Sequence, residues 1–207
     1  MMYMTRCPRC GERIPREKDV KFCPNCGASI LASVTRVEVR VALIVVLLIL
    51  CVFATAIGAS TKIEVEEARR LNRELNNLSD AAKTIGPQVI FGNNFMHALI
   101  MFVPVAGPCW GFYVLYNTGR FIAALSTTEG ISPTLTMLTL FFFPFTWMEY
   151  ISYALAISES LFLAYSIIKR DLKREFAVAS SLIVLCSIIL LIAAFIEFSL
   201  ISLLEIS

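Results

Sequence analysis

Apolar residues run through this chain in long blocks, and charged residues gather where the blocks stop. Residues 41–59 form one continuous apolar run, long enough at about 1.5 Å per residue to cross the hydrocarbon core of a bilayer. Residues 61–85 then change character. They hold five basic and five acidic residues, and Ala68, Leu71, Leu75, Leu78, Ala82 and Ile85 recur three and four apart along one helical face. That spacing predicts an amphipathic helix outside the membrane, its stripe packed on a bundle, a partner helix or the bilayer interface, and ended by Gly86-Pro87.

From residue 88 the apolar pattern returns. Residues 88–116 predict a second span, kinked or broken at Gly107-Pro108. Asn117-Thr118-Gly119-Arg120 predicts an inner loop, followed by a short interfacial or re-entrant helix over 121–128. Ser132-Pro133 pairs an N-cap with an N1 proline, so a new helix should start there and run to about Trp147, with Pro144 near its end. Residues 151–168 and 176–206 complete the set. The expected fold is an all-α membrane protein with about five transmembrane helices in one bundle: a first transmembrane helix over 34–60, an amphipathic helix over 61–87 and a four-helix transmembrane core over 88–207.

Composition agrees, since 57% of the chain is hydrophobic and 16% charged, against about 25% charged in an ordinary soluble domain. The net charge of +2 hides an asymmetry: residues 1–40 carry eight Lys/Arg against four Asp/Glu. Basic flanks face the cytoplasm. With Arg36 and Arg40 before the first span and Lys169, Arg170, Lys173 and Arg174 between the last two, the N-terminus is expected inside and the C-terminus outside a multi-pass plasma-membrane protein. No secretory signal is visible, because the first apolar run is too long for a typical signal core and reads as an anchor.

The first 33 residues carry different chemistry. Cys7-Pro8-Arg9-Cys10-Gly11 and Cys23-Pro24-Asn25-Cys26-Gly27 are two matched CxxCG knuckles separated by twelve residues. Each presents two thiolates to one tetrahedral metal, and four thiolates make the closed ligand set of structural zinc. One zinc per chain, held by Cys7, Cys10, Cys23 and Cys26, would supply the folding free energy that so small a head cannot bury. This is a zinc ribbon, expected in the cytoplasm. Its basic residues Arg6, Arg9, Arg13, Arg16, Lys18 and Lys21 lack an aromatic platform, so protein docking or a topogenic role is favoured over nucleic-acid binding. Cys51, Cys109 and Cys186 sit in apolar surroundings and read as small hydrophobes.

Polar groups inside the apolar blocks ask for an explanation, because each costs about a few kcal/mol at membrane depth unless paired or hydrated. On the expected topology Asn93, Asn94, His97, Glu149 and Glu197 fall in the outer half of the bilayer on three helices, and Glu159 lies near its middle. Trp147 and Tyr150 flank Glu149 as an aromatic belt would. The six form a candidate intramembrane polar site. Interhelical hydrogen bonds that merely brace a bundle are the alternative.

Four stretches share an order with a known family. Asn93-Asn94 opens a span, Gly107 to Gly111 leads to Asn117-Thr118-Gly119, Pro144-Phe145-Thr146-Trp147-Met148-Glu149 follows, and the last span reads Ala193-Ala194-Phe195-Ile196-Glu197-Phe198. In this the chain resembles the stage II sporulation protein M family of integral membrane proteins over about half its length, with the zinc ribbon added. The family's His and Gly after the proline are absent, and its Asn-Gly is interrupted by Thr118. The resemblance implies the membrane fold and a scaffold role, in spore formers alongside wall-degrading partners.

The favoured function is a non-enzymatic integral membrane scaffold in contact with lipid, docking protein partners through its head and outer helix, with homo-oligomerisation open. The alternative is a transporter or permease subunit using the intramembrane glutamates. An enzyme ranks last, since the chain carries neither His-Glu-x-x-His nor Gly-x-Ser-x-Gly.

Overall fold

The computed structural model describes residues 6–7, 9–14, 22–28, 35–169 and 172–206. Arg16, Lys18 and Lys21 of the head, its boundary at Ser33, and Arg170 of the basic loop lie outside them. The chain divides into two units, Met1–Val45 and Val46–Ser207. Among the described residues every regular element is helical: α1 Thr35–Ala59, α2 Val65–Ile85, α3 Pro87–Met101, α4 Ala106–Glu129, α5 Pro133–Phe142, α6 Pro144–Lys169 and α7 Leu172–Ile206.

Three helices are long and apolar enough to cross a membrane, over Val37–Ala59, Pro144–Ile168 and Glu175–Leu203. Of these α6 is the most buried, with 56% of its 18-residue apolar window buried against 22% for α1 and 28% for α7. Its sequence explains the difference. Ser152, Ala154, Ala156, Ser158 and Ser160 are buried small residues that let neighbouring backbones come close, and Cys186 of α7 donates to the Ser152 carbonyl at 3.6 Å.

The region 88–207 holds five helices, of which α6 and α7 are long and apolar enough to cross a membrane. Residues 88–116 do not form one span. The break falls at Phe102–Val105 rather than at Gly107-Pro108. Pro104 has no N–H to continue α3, and Val105 takes φ 69°, a left-handed value that is strained for a β-branched residue. Pro108 sits in the first turn of α4, where a missing N–H costs nothing. After the break α4 turns back along α3: the His97 and Trp110 rings meet at 5.8 Å. Ser160 of α6 pins the turn by donating to the Val103 carbonyl at 2.6 Å.

Nor is there an inner loop at 117–120 or a separate helix over 121–128, because α4 runs on unbroken to Glu129. Asn117 and Thr118 fold back on the helix, donating to the Tyr113 and Val114 carbonyls. Gly119 is there for close approach instead of a turn. It crosses Gly58 of α1, and a Cβ on Gly119 would run into the backbone of Thr55, Gly58 and Ala59. The same corner is closed by a 2.6 Å hydrogen bond between the buried hydroxyls of Thr55 and Tyr150.

The helix that opens at Ser132-Pro133 stops at Phe142, short of Trp147, and spans only about 15 Å. Pro144 opens α6 instead of closing α5. Thr146 and Trp147 donate to the Leu140 and Phe141 carbonyls, both at 2.8 Å, Thr146 sharing its acceptor with the Phe143 N–H at the end of α5.

The stripe on α2 packs as its spacing predicts, in part. Ala68 and Leu71 are buried against Ala124 of α4 with Ile63 and Phe121 around them, and Ala82 is buried against Ile90 and Ala194. Leu78 and Ile85 stay exposed. Arg120 of α4 reaches Glu67 of α2.

Candidate metal centre and polar cavity

Both knuckles of the head are built alike. The Gly11 and Gly27 N–H groups donate to the Cys7 and Cys23 carbonyls, each at 2.9 Å, and the Cys7 and Cys23 N–H groups donate to Glu12 and Ala28 at 2.8 and 2.7 Å. Gly11 and Gly27 take φ 73° and 67°, so the residue after each second cysteine needs to be glycine. These turns bring four sulfurs within 4.8 Å of one another. Cys7 and Cys26 lie 3.5 Å apart and Cys10 and Cys23 3.6 Å. Zinc with sulfur at about 2.3 Å in a tetrahedron spaces its ligands about 3.8 Å apart, so the four cysteines fit that ion. A family model for a zinc-ribbon domain matches residues 3–30. No curated protein and no solved structure matches the chain.

The titration of the thiols follows from the same geometry. The N–H groups of Arg9 and Cys10 hold the Cys7 thiol down to about 6. At Cys26 the Ala28 N–H also pulls down, but desolvation and the neighbouring sulfurs of Cys10, Cys7 and Cys23 outweigh it and push the thiol up to about 12. One thiolate forms readily and the last resists. A divalent metal removes that repulsion by replacing the protons.

In the helical unit, a cavity of about 420 Å³ opens between α2, α3, α4 and α6. Asn93, Asn94 and His97 line it from α3 and Glu149 from α6, so four of the six predicted polar residues come together. They are linked in sequence: Asn93 donates to Asn94 at 3.2 Å, and Asn94 donates to Glu149 at 2.5 Å. Glu197 of α7 lies close enough for its charge to act on Glu149, though it does not line the cavity. Glu159 does not join them. It is 1% exposed on α6 and absent from the lining, beside the Ser160 that pins the α3–α4 turn.

Sequence reasoning missed the rest of the lining. Tyr150 is no belt residue: it is 2% exposed and bonded to Thr55. With Tyr153, one turn on from Glu149, it forms one wall. Trp110 and Tyr113, with ring centroids 5.7 Å apart, continue the His97 ring along another. Arg70 and Glu74 of α2 and Arg120 of α4 also line it. The spacings Glu149–Tyr153 and Trp110–Tyr113 carried a signal, each one helical turn. Only the hairpin at Pro104 brings the two walls together. His97 Nδ1 and Trp110 Nε1 are buried in this lining without a hydrogen-bond partner.

Proposed function

We propose that this chain is a non-enzymatic membrane scaffold, its zinc ribbon docking a cytoplasmic protein partner and the charged face of α2 an outer one. The observation that carries the reading is the closed four-thiolate centre. Four protein sulfurs fill a tetrahedral zinc and leave it no position for substrate, so the metal serves to hold a small surface in shape. One structural zinc per chain follows. The order of motifs shared with the stage II sporulation protein M family supports the scaffold role.

Three full crossings by α1, α6 and α7 give a consistent topology in the plasma membrane. The basic groups around Arg36–Arg40 and in 169–174 then share the cytoplasmic side, and the C-terminus lies outside. In this reading α3 and α4 form a hairpin within the bundle, and α5 packs beside α6, in place of the further crossings in a count of five.

The test is mass spectrometry of what co-purifies with the full chain in mild detergent, beside Cys10→Ser and a form with Arg69, Arg73 and Glu66 neutralised on α2. Specific proteins lost from one variant and kept by the other would support two docking surfaces. An identical set from all three forms would overturn the reading.

A further inference from the structure

The cavity in the helical unit has a composition that bracing does not require. Two helix pairs are already joined without it, by the Gly58–Gly119 crossing and the Thr55–Tyr150 hydrogen bond. What the cavity adds is a carboxylate with one neutral donor, Asn94, and aromatic rings on both sides. Trp110 and Tyr113 stand on the α4 side, and Tyr150 and Tyr153 on the α6 side. The opening holds two guanidinium groups, and both have acidic neighbours: Arg120 with Glu67, and Arg70 with Glu74 at 3.8 Å. Among the described residues Glu149 is paired with no such cation, and its partner is the neutral amide of Asn94.

A carboxylate among aromatic faces suits an organic ammonium ion. The ring quadrupoles attract a cation over their faces, and desolvation makes that attraction stronger. An inorganic cation would instead ask for several converging oxygens, and the Asn94 Oδ1 beside Glu149 is already accepting from Asn93. Size agrees, since about 420 Å³ falls within the range of small-molecule sites, about 300–1,000 Å³.

We infer that this cavity is a binding site for a small organic ammonium ion, with Glu149 as its counter-charge and Trp110, Tyr113 and Tyr153 as its cage. The ammonium can belong to a soluble amine or to a zwitterionic lipid headgroup, which share this chemistry. The site is independent of the docking surfaces on the ribbon and α2.

The protein carries its own reporter. Of its two tryptophans only Trp110 lines the cavity, so Trp147→Phe in the full chain leaves one emitting ring at the site. Choline chloride is titrated into that protein in maltoside detergent, with sodium chloride at equal ionic strength as the control. A saturable choline-specific change in Trp110 emission is expected. Glu149→Gln should abolish it, and Glu159→Gln, on the same helix outside the cavity, should leave it. Tyr113 is 59% exposed, so Tyr113→Leu spares the fold and should weaken binding several-fold.

No saturable change, an equal response to sodium, or unchanged affinity in both Glu149→Gln and Tyr113→Leu would overturn the site. If Glu149→Gln does not fold, Tyr113→Leu decides alone. Repeating the titration in phosphatidylcholine and phosphatidylglycerol nanodiscs separates the sources. A response lost only in phosphatidylcholine identifies the headgroup, and one kept in both identifies a soluble amine.

Discussion

The ribbon and the helical unit are held together by opposite means. In the ribbon four side chains converge on one point, each knuckle makes a tight turn, and among the described residues Cys7 and Cys23 are the buried ones. Among the described residues of the helical unit there is no such single centre. Its cohesion is spread over small-residue crossings, one buried hydroxyl pair and a line of amides ending on a carboxylate. A fold that hangs on one metal should fail all at once, and one built from many contacts should weaken by degrees.

The largest effect should therefore come from one sulfur. Zinc centres of this kind contribute about 10–16 kcal/mol of apparent binding free energy to folding. Cys10→Ser should take bound zinc from one per chain to near zero by elemental analysis and make residues 1–33 susceptible to protease. Helix content by circular dichroism should hardly move. Zinc retained at one per chain would refute the four-cysteine site, and a matching fall in the melting temperature of the helices would erase the contrast between the units.

The same contrast explains what was legible beforehand. The ribbon's ligands stand in two short repeats, so local spacing alone picks out Cys7, Cys10, Cys23 and Cys26. In the helical unit α1, α2, α6 and α7 were legible from apolar length or from the stripe Ala68–Leu71, because these report on one element at a time. The joints were not. Gly107-Pro108 looks like a break and Asn117–Arg120 like a loop, yet which proline breaks a helix depends on what holds the turn, here Ser160 donating to the Val103 carbonyl from 57 residues away. Gly119 resembles a turn residue until Gly58 is seen beside it. Asn94 and Glu149 could be named as polar and intramembrane, but their contact and the aromatic walls depend on the reversal at Pro104.

Crossing points come next in size. Gly119→Ala places a methyl against backbone that cannot rotate away, and overpacking of this kind costs about 3 kcal/mol. The melting temperature in detergent should drop clearly while zinc content stays at one per chain. Gly92→Ala is the matched control. Nothing lies within 4 Å of a Cβ there, so alanine in the helix interior should be neutral or slightly stabilising. Equal effects from the two changes would mean that helix propensity, and not the α1–α4 crossing, sets the response.

A smaller loss is expected from the cavity. Asn94→Ala removes the donor from Glu149 and leaves a half-buried carboxylate unsatisfied, at a cost of about 1–3 kcal/mol. Asn77→Ala, on the exposed face of α2, should change nothing. If Asn94→Ala proves as silent as Asn77→Ala, water already serves Glu149, and the line of amides is no brace.

The smallest effect should be at the charged contact between α2 and α4. Glu67 and Arg120 are 40% and 22% exposed at their side chains, and Arg120 also donates to Asn117 at 3.3 Å, so the cation keeps a partner when Glu67 is neutralised. An exposed pair of this kind is worth about 0.2–1 kcal/mol and is weakened by salt. Glu67→Gln should lower the melting temperature slightly at low ionic strength and less at high, with a double-mutant cycle against Arg120→Gln giving a coupling of the same small size. The reason lies beside it: Ala68 and Leu71 are buried against Ala124, and this apolar seam holds α2 on the bundle whether or not the charges meet. A coupling larger than the loss at Asn94 would reverse that ranking and make α2 an electrostatically clamped element, one that high salt alone could release from α4.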